Sequence, residues 1–167
     1  MNMPTTTMTV QDLFVQTNIH NWENAIGQAS GFFNKCTDEE LLQPIAHGKN
    51  RVIYLLGHLA AVHDRLLPLL GLGDRLYPHL DEDFLTNPDN PAANLPAPGD
   101  LRDAWTTVNK HVTASLRSWT PEEWLQKHTA VSDEDFAKEP HRNRLNVILG
   151  RARHVSYHLG QLALFKK

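Results

Sequence analysis

The sequence predicts an all-α fold, an antiparallel four-helix bundle with one long inter-helix loop and short extra helices. Three observations carry this. Apolar residues recur at helical spacing in four long segments, near residues 9–34, 49–70, 100–119 and 143–165. No alternating apolar–polar run bounded by turn residues is present, so no strand is expected. One stretch, Asp74 to Gly99, carries Pro78, Pro88, Pro91, Pro96 and Pro98 and reads as a single long connection. Four amphipathic helices around a common core, joined by short links and one long crossover, make a bundle.

Each element has its own signal. Met1 to Met8 is polar and threonine-rich and is expected to be a loose end. The first helix starts at Thr9, which can cap it, with Asp12 three residues on to complete a capping box. Val10, Leu13, Phe14, Ile26, Ala29 and Phe33 give its apolar side, with Trp22 slightly off the stripe. Thr37 followed by Asp38, Glu39 and Glu40 predicts a short helical turn that Pro44 ends. The second long helix, Lys49 to Leu70, has the stripe Val52, Leu55, Leu56, Leu59, Val62, Leu66 and Leu70; Pro68 should loosen its last turn and Gly71 should close it. After the long loop, Asp100 is a plausible cap for a third helix through Leu101, Ala104, Trp105, Val108, Val112 and Leu116. Thr120-Pro121-Glu122-Glu123 opens a short helix anchored by Trp124. Residues 125–142 read as mixed and solvated, and the last helix runs from Asn143 to Phe165.

Composition narrows the function classes. The 167 residues are the size of one domain, 1–167, able to bury its own core. A net charge of −3 with scattered Lys and Arg offers no basic stripe, so nucleic acid is not an expected partner. No run of 18 or more apolar residues occurs, so no membrane span is expected. One cysteine, Cys36, cannot form an intrachain disulfide and has no motif around it. The start of the chain lacks signal-peptide character, and the expected location is cytoplasmic.

Chemistry concentrates in the histidines. His154 and His158 lie four apart in the last helix, one turn above each other, on one flank of its apolar stripe. Such a flank suits a groove between two helices. The pair is half of a metal site and needs a third donor. Imidazole suits zinc, nickel, copper or iron. The second long helix offers two candidates. His63 falls inside its stripe and His58 on its flank, so packing alone does not choose between them. His20 reads as a boundary or surface residue, His111 as a packing or boundary residue, and His128 and His141 as exposed.

Gly57-His58-Leu59-Ala60-Ala61-Val62-His63-Asp64 in the second long helix, with His154-Val155-Ser156-Tyr157-His158-Leu159-Gly160-Gln161-Leu162 in the last, resembles the DinB-like superfamily of four-helix bundles, the DNA-damage-inducible and thiol-transferase-like group. The pattern has one histidine followed by a small apolar run in the second helix and a His-x-x-x-His pair in the last. The resemblance implies His58, His154 and His158 as metal ligands, with His63 left as a core residue beside Asp64. It also implies a divalent metal ion, zinc or nickel first and iron or manganese as alternatives. Two features depart from the pattern. Gly48-Lys49-Asn50-Arg51 stands where many relatives carry a tryptophan, and the 74–99 loop is long.

Three neutral imidazoles leave a divalent ion an open position, as catalytic sites do. The resemblance implies a metal-dependent transferase that uses a low-molecular-weight thiol, or a hydrolase, acting on a small-molecule substrate, with a homodimer as the expected assembly. Arg151 lies on the same side of the last helix as His154 and can bind a carboxylate; Tyr157, Ser156 and Gln161 are further polar groups within reach. No Ser-His-Asp order is present. The alternative is a non-catalytic helical bundle that acts as a dimerising or sensing module.

Overall fold

A computed structural model describes residues 8–165. The loose start expected at residues 1–7 lies outside the described residues. Among the described residues the regular structure is helical, with two isolated bridges, Pro44 with Arg51 and Lys127 with Asn143, and no strand. The helices are α1 (Val10–Lys35), α2 (Asp38–Leu41), α3 (Val52–Asp64), α4 (Leu66–Leu70), α5 (Pro98–Ser118), α6 (Pro121–Trp124), α7 (Asp133–Lys138) and α8 (Arg144–Leu162). A π-helical turn, Glu82–Thr86, interrupts the long connection between α4 and α5.

The caps expected from the sequence form. Thr9 and Asp12 close a capping box on α1, Thr37 and Glu40 on α2, and Thr120 and Glu123 on α6. Asn143 accepts from the Asn146 N–H at the head of α8. Two boundaries move. α5 begins at Pro98 rather than at Asp100, because proline fits the first helical position; Asp100 sits in the first turn, where its charge faces the positive helix end. The stretch expected as one helix over 49–70 breaks at Arg65. Pro68 has no N–H to give the Asp64 carbonyl and its ring crowds that carbonyl, so α3 stops there. Gly71, at φ 71°, closes α4 as expected. Residues 125–142 were expected to be solvated and irregular, yet Ser132 caps the short α7; no residue of that helix is buried, so hydropathy gave no sign of it.

The four longest segments pack side by side around one apolar core. Trp22 Nε1–H donates to Thr113 Oγ1 at 2.9 Å and Trp105 Nε1–H to Ser30 Oγ at 2.9 Å, so α1 and α5 run antiparallel. His58 meets His154 and His158, while Leu69 faces Asn146 and Val147, so α3–α4 runs antiparallel to α8. Phe32 packs on Phe165, which brings the C-terminal ends of α1 and α8 together. Those two helices therefore run in the same direction, as do α3 and α5. The antiparallel expectation holds for two of the four neighbouring pairs, and the crossover between α4 and α5 sets the other two. By returning the chain to its starting end it makes the helices on either side of it parallel.

α1 has 26 residues against 19 in α8. With their C-terminal ends level, the surplus falls at the start of α1, where Val10, Leu13 and Phe14 are exposed rather than buried. Trp22, off the expected stripe, is fully buried. The Val52–Leu70 stretch is long and apolar enough by composition to cross a membrane, and 72% of that window is buried inside the fold; the core accounts for its hydropathy.

Candidate metal centre

α3 and α8 face each other with His58 one way and His154 and His158 the other. Three ring nitrogens converge. His154 Nε2 lies 3.0 Å from His158 Nε2 and 3.4 Å from His58 Nε2. A tetrahedral ion about 2.05 Å from each imidazole nitrogen would hold those nitrogens about 3.3 Å apart. The two separations from His154 bracket that spacing, all three donor atoms lie within 4.8 Å of one another, and the three histidines could hold a metal ion.

The outer nitrogens explain the orientation. His58 Nδ1–H donates to the Phe84 carbonyl at 2.9 Å, and His158 Nδ1–H donates to Gln161 Oε1 at 2.7 Å. Both bonds put the proton on Nδ1 and leave Nε2 bare towards the centre. His154 differs: its Nδ1 is buried and has no partner. In the metal-free protein its Nε2–H can donate to His158 Nε2, which leaves Nδ1 as an unpaired acceptor. An ion at the centre would reverse this, moving the proton to Nδ1 and freeing Nε2.

Phe84 belongs to the π turn, and the sequence explains how that turn reaches α3. Gly57 precedes His58, and a Cβ built there would lie 2.3 Å from the Phe84 ring. Only glycine lets the ring lie on the helix. Tyr54 packs against both Phe84 and His58, and its hydroxyl donates to the Asn87 carbonyl at 2.8 Å. Two polar latches hold the crossover. Fully buried Asp64 accepts from Arg75 Nε at 2.9 Å and from the backbone N–H groups of Leu76 and Tyr77 at 2.8 and 3.1 Å. Arg51 pairs with Asp89 at 2.7 Å. Arg75 pairs with Asp81 at 2.6 Å, and that bond, together with one from Arg65, holds the Asp81 carboxyl down at about 2. The long loop thus packs over α3 and supplies a backbone acceptor to the centre.

Electrostatics favour neutral rings. Burial, then the neighbouring His158, His58 and Arg151, pushes His154 down to about 4. Burial also lowers His158, against the opposing bond from Gln161. Neutral imidazoles are the form that binds a cation.

His63 lies elsewhere. It is fully buried between Trp22 and Trp105, at ring separations of 5.3 and 4.9 Å, and its Nδ1–H donates to Asn109 Oδ1 at 2.7 Å. Asn109 in turn donates to the Trp105 carbonyl at 2.7 Å. His63 is a core residue outside the converging set. Asp64 is not its partner, because that carboxylate serves the crossover.

The remaining polar expectations divide. Gln161 reaches the centre through His158. Ser156 does not; its hydroxyl donates back to the Ala152 carbonyl. Tyr157 is exposed beside His158, and its hydroxyl oxygen accepts from Gln161 Nε2–H at 3.3 Å. Arg151 is half-buried in a groove of about 580 Å³ that also has His154, Tyr157, Asn146 and Leu69 in its walls. His20 and His141 are exposed as expected; His111, expected at a packing or boundary position, is exposed, and His128, expected exposed, is half-buried. Sequence reasoning missed Phe84 and Tyr54. A backbone acceptor has no side-chain signature, and only Gly57, a helix-interior glycine next to a candidate ligand, marked a close approach.

An all-helical protein in which two facing helices bring three histidines to one point is the class that fold and site define. A family model of the DinB superfamily matches residues 21–162, and the chain belongs to that superfamily. The matched span contains His58, His154 and His158. Comparison with curated proteins gave no match.

Proposed function

We propose that this protein is a metal-dependent enzyme, a single-domain four-helix bundle whose His58, His154 and His158 hold a divalent ion, zinc or nickel first. The convergence of three Nε2 atoms, two of them oriented by Phe84 and Gln161, carries this reading. When bound, such an ion supplies an open, Lewis-acidic position for a thiol or a water. The reaction class is transfer of a low-molecular-weight thiol to a small electrophile, or hydrolysis. The chain's own groups fix the tautomers of His58 and His158, burial favours neutral rings at His154 and His158, and a groove opens at His154. Tyr157, which accepts from Gln161, keeps its own O–H free to donate to a substrate there. The cytoplasm is the compartment proposed, with no membrane or nucleic acid as partner.

Elemental analysis of protein purified without a histidine tag tests this, with wild type beside His58→Ala and His63→Ala. About one metal per chain, lost in His58→Ala and kept in His63→Ala, is expected. No metal in wild type after incubation with zinc or nickel would sink the reading.

A second reading, a dimerising or sensing module, is favoured by Val10, Leu13 and Phe14, exposed at 82%, 55% and 49% on one side of α1. A homodimer through that face fits either reading. Mass in solution together with a thiol-transfer and hydrolysis screen separates them: a metal-loaded dimer inert in both assays favours the second.

A further inference from the structure

Nearly every arginine in this protein has an evident partner. Arg51, Arg65, Arg75, Arg102, Arg117 and Arg142 pair with carboxylates. Arg144 donates to the Glu123 carbonyl and lies over the Trp119 ring, and Arg153 is exposed to water. Arg151 has neither. It is half-buried, its Nε is fully buried without an acceptor, and among the described residues it makes no ion pair. A cation withdrawn from water without a counter-charge is costly, and an anion arriving from outside relieves that cost.

The surroundings of Arg151 define what that anion is. Arg151 lies three residues before His154 on α8, and both side chains line the same groove. None of the residues lining it is acidic; Arg153 adds a second positive charge at the rim, and Leu69, Val147 and Gly150 supply apolar wall. The guanidinium is a planar fork that takes a carboxylate through two parallel N–H bonds. One buried positive charge beside an apolar wall matches one negative charge on a short carbon chain better than a hydrated dianion.

We infer that Arg151 is the substrate-anchoring residue of this groove and that the small molecule bound there carries a carboxylate, held by Arg151 with its carbon chain directed to His154. What lies beyond the carboxylate rests on the three-histidine reading above; the anchoring itself does not need a metal.

Calorimetric titration of wild type, Arg151→Gln and Arg151→Lys with sodium butyrate, inorganic phosphate and butanol tests this, each protein metal-free and zinc-loaded. Butyrate is expected to bind wild type more tightly than butanol or phosphate in both forms. Arg151→Gln should weaken butyrate by about tenfold or more, and Arg151→Lys should recover only part of it, because a point charge replaces the fork. Zinc stoichiometry and melting temperature report whether each variant is folded, and Arg151→Lys supplies a folded charge-retaining comparison should Arg151→Gln unfold. Equal butyrate affinity in wild type and Arg151→Gln overturns the inference while leaving the metal reading intact. Arg151-dependent binding of phosphate in preference to butyrate overturns the carboxylate assignment. Arg151-dependent butyrate binding in a wild type that takes up no zinc supports the anchor and removes the metal reading instead.

Discussion

His58 and His63 stand on the same helix, little more than one turn apart, and do opposite things. His58 is half-buried, with one nitrogen tied to a loop carbonyl and the other turned to two more histidines. His63 is wholly enclosed by two tryptophans, with one nitrogen tied to Asn109 and the other unpartnered. Both donate from Nδ1 to a fixed acceptor. What differs is where Nε2 points, to other nitrogen donors or into a dry core. Residue type and even helical position do not separate a histidine of the converging set from a core residue here; the neighbours of the second nitrogen do.

The strongest way to break the comparison is to truncate each ring. His154→Ala is expected to abolish metal uptake with little loss of stability. His63→Ala should keep the metal and lose about 3 kcal/mol, since it opens a cavity between two aromatic rings and strands Asn109. Elemental analysis and urea denaturation of both variants read the pair, and metal loss in His63→Ala without unfolding would erase the distinction.

Gly57→Ala probes the support of His58 alone. Its Cβ would displace the Phe84 ring and with it the carbonyl that orients His58. Metal affinity should fall by about 10–100-fold and stability by about 1–3 kcal/mol. Unchanged zinc affinity by competition with a chelator would show that the Phe84 carbonyl does not set the ligand.

Acid separates the core histidine next. Burial holds His63 at about 3 in the fold, against an ordinary value of 6.5 in the unfolded chain. Between these values the unfolded state binds more protons, so stability is greatest above pH 6.5 and falls as pH drops towards 3. The loss from His63 by pH 5 is about 2 kcal/mol. Denaturation at pH 7 and pH 5 should show a smaller loss for metal-free His63→Gln than for metal-free wild type; equal losses would assign the acid sensitivity elsewhere.

The smallest expected effect lies at Gln161. Gln161→Leu removes the acceptor that holds His158, and metal affinity should drop about tenfold with the fold intact. An unchanged affinity would mean that packing alone orients that ring.

Much of this was legible in the sequence because it rests on local rules. Capping pairs such as Thr9–Asp12 and Thr120–Glu123 act within one turn, and the His154–His158 pair needs only helical spacing. The choice of His58 over His63 was not a local matter. His63 occupies the centre of the apolar stripe, and packing sent it inward correctly, but inward proved to mean between Trp22 and Trp105 rather than towards α8. The same limit hid the exposure of Val10, Leu13 and Phe14, whose spacing is that of a core face; only the unequal lengths of α1 and α8 leave them uncovered. The place of Arg151 beside His154 follows from helical spacing, whereas the burial of its Nε without an acceptor depends on side chains brought by other elements.

The π turn at Glu82–Thr86 has one further consequence, for how chain length is constrained. It accommodates one more residue in its turn than an α-helical turn would, and the Phe84 carbonyl reaches His58 from within it. Shortening that turn by one residue would swing the carbonyl by about 100° around the helix axis, whereas exchanging exposed side chains along it would leave the carbonyl where it is. Most connections absorb gains and losses of residues more easily than changes in their anchoring groups. In this stretch the number of residues itself helps to hold His58 in the three-histidine cluster, and a frame-preserving deletion is the more damaging event.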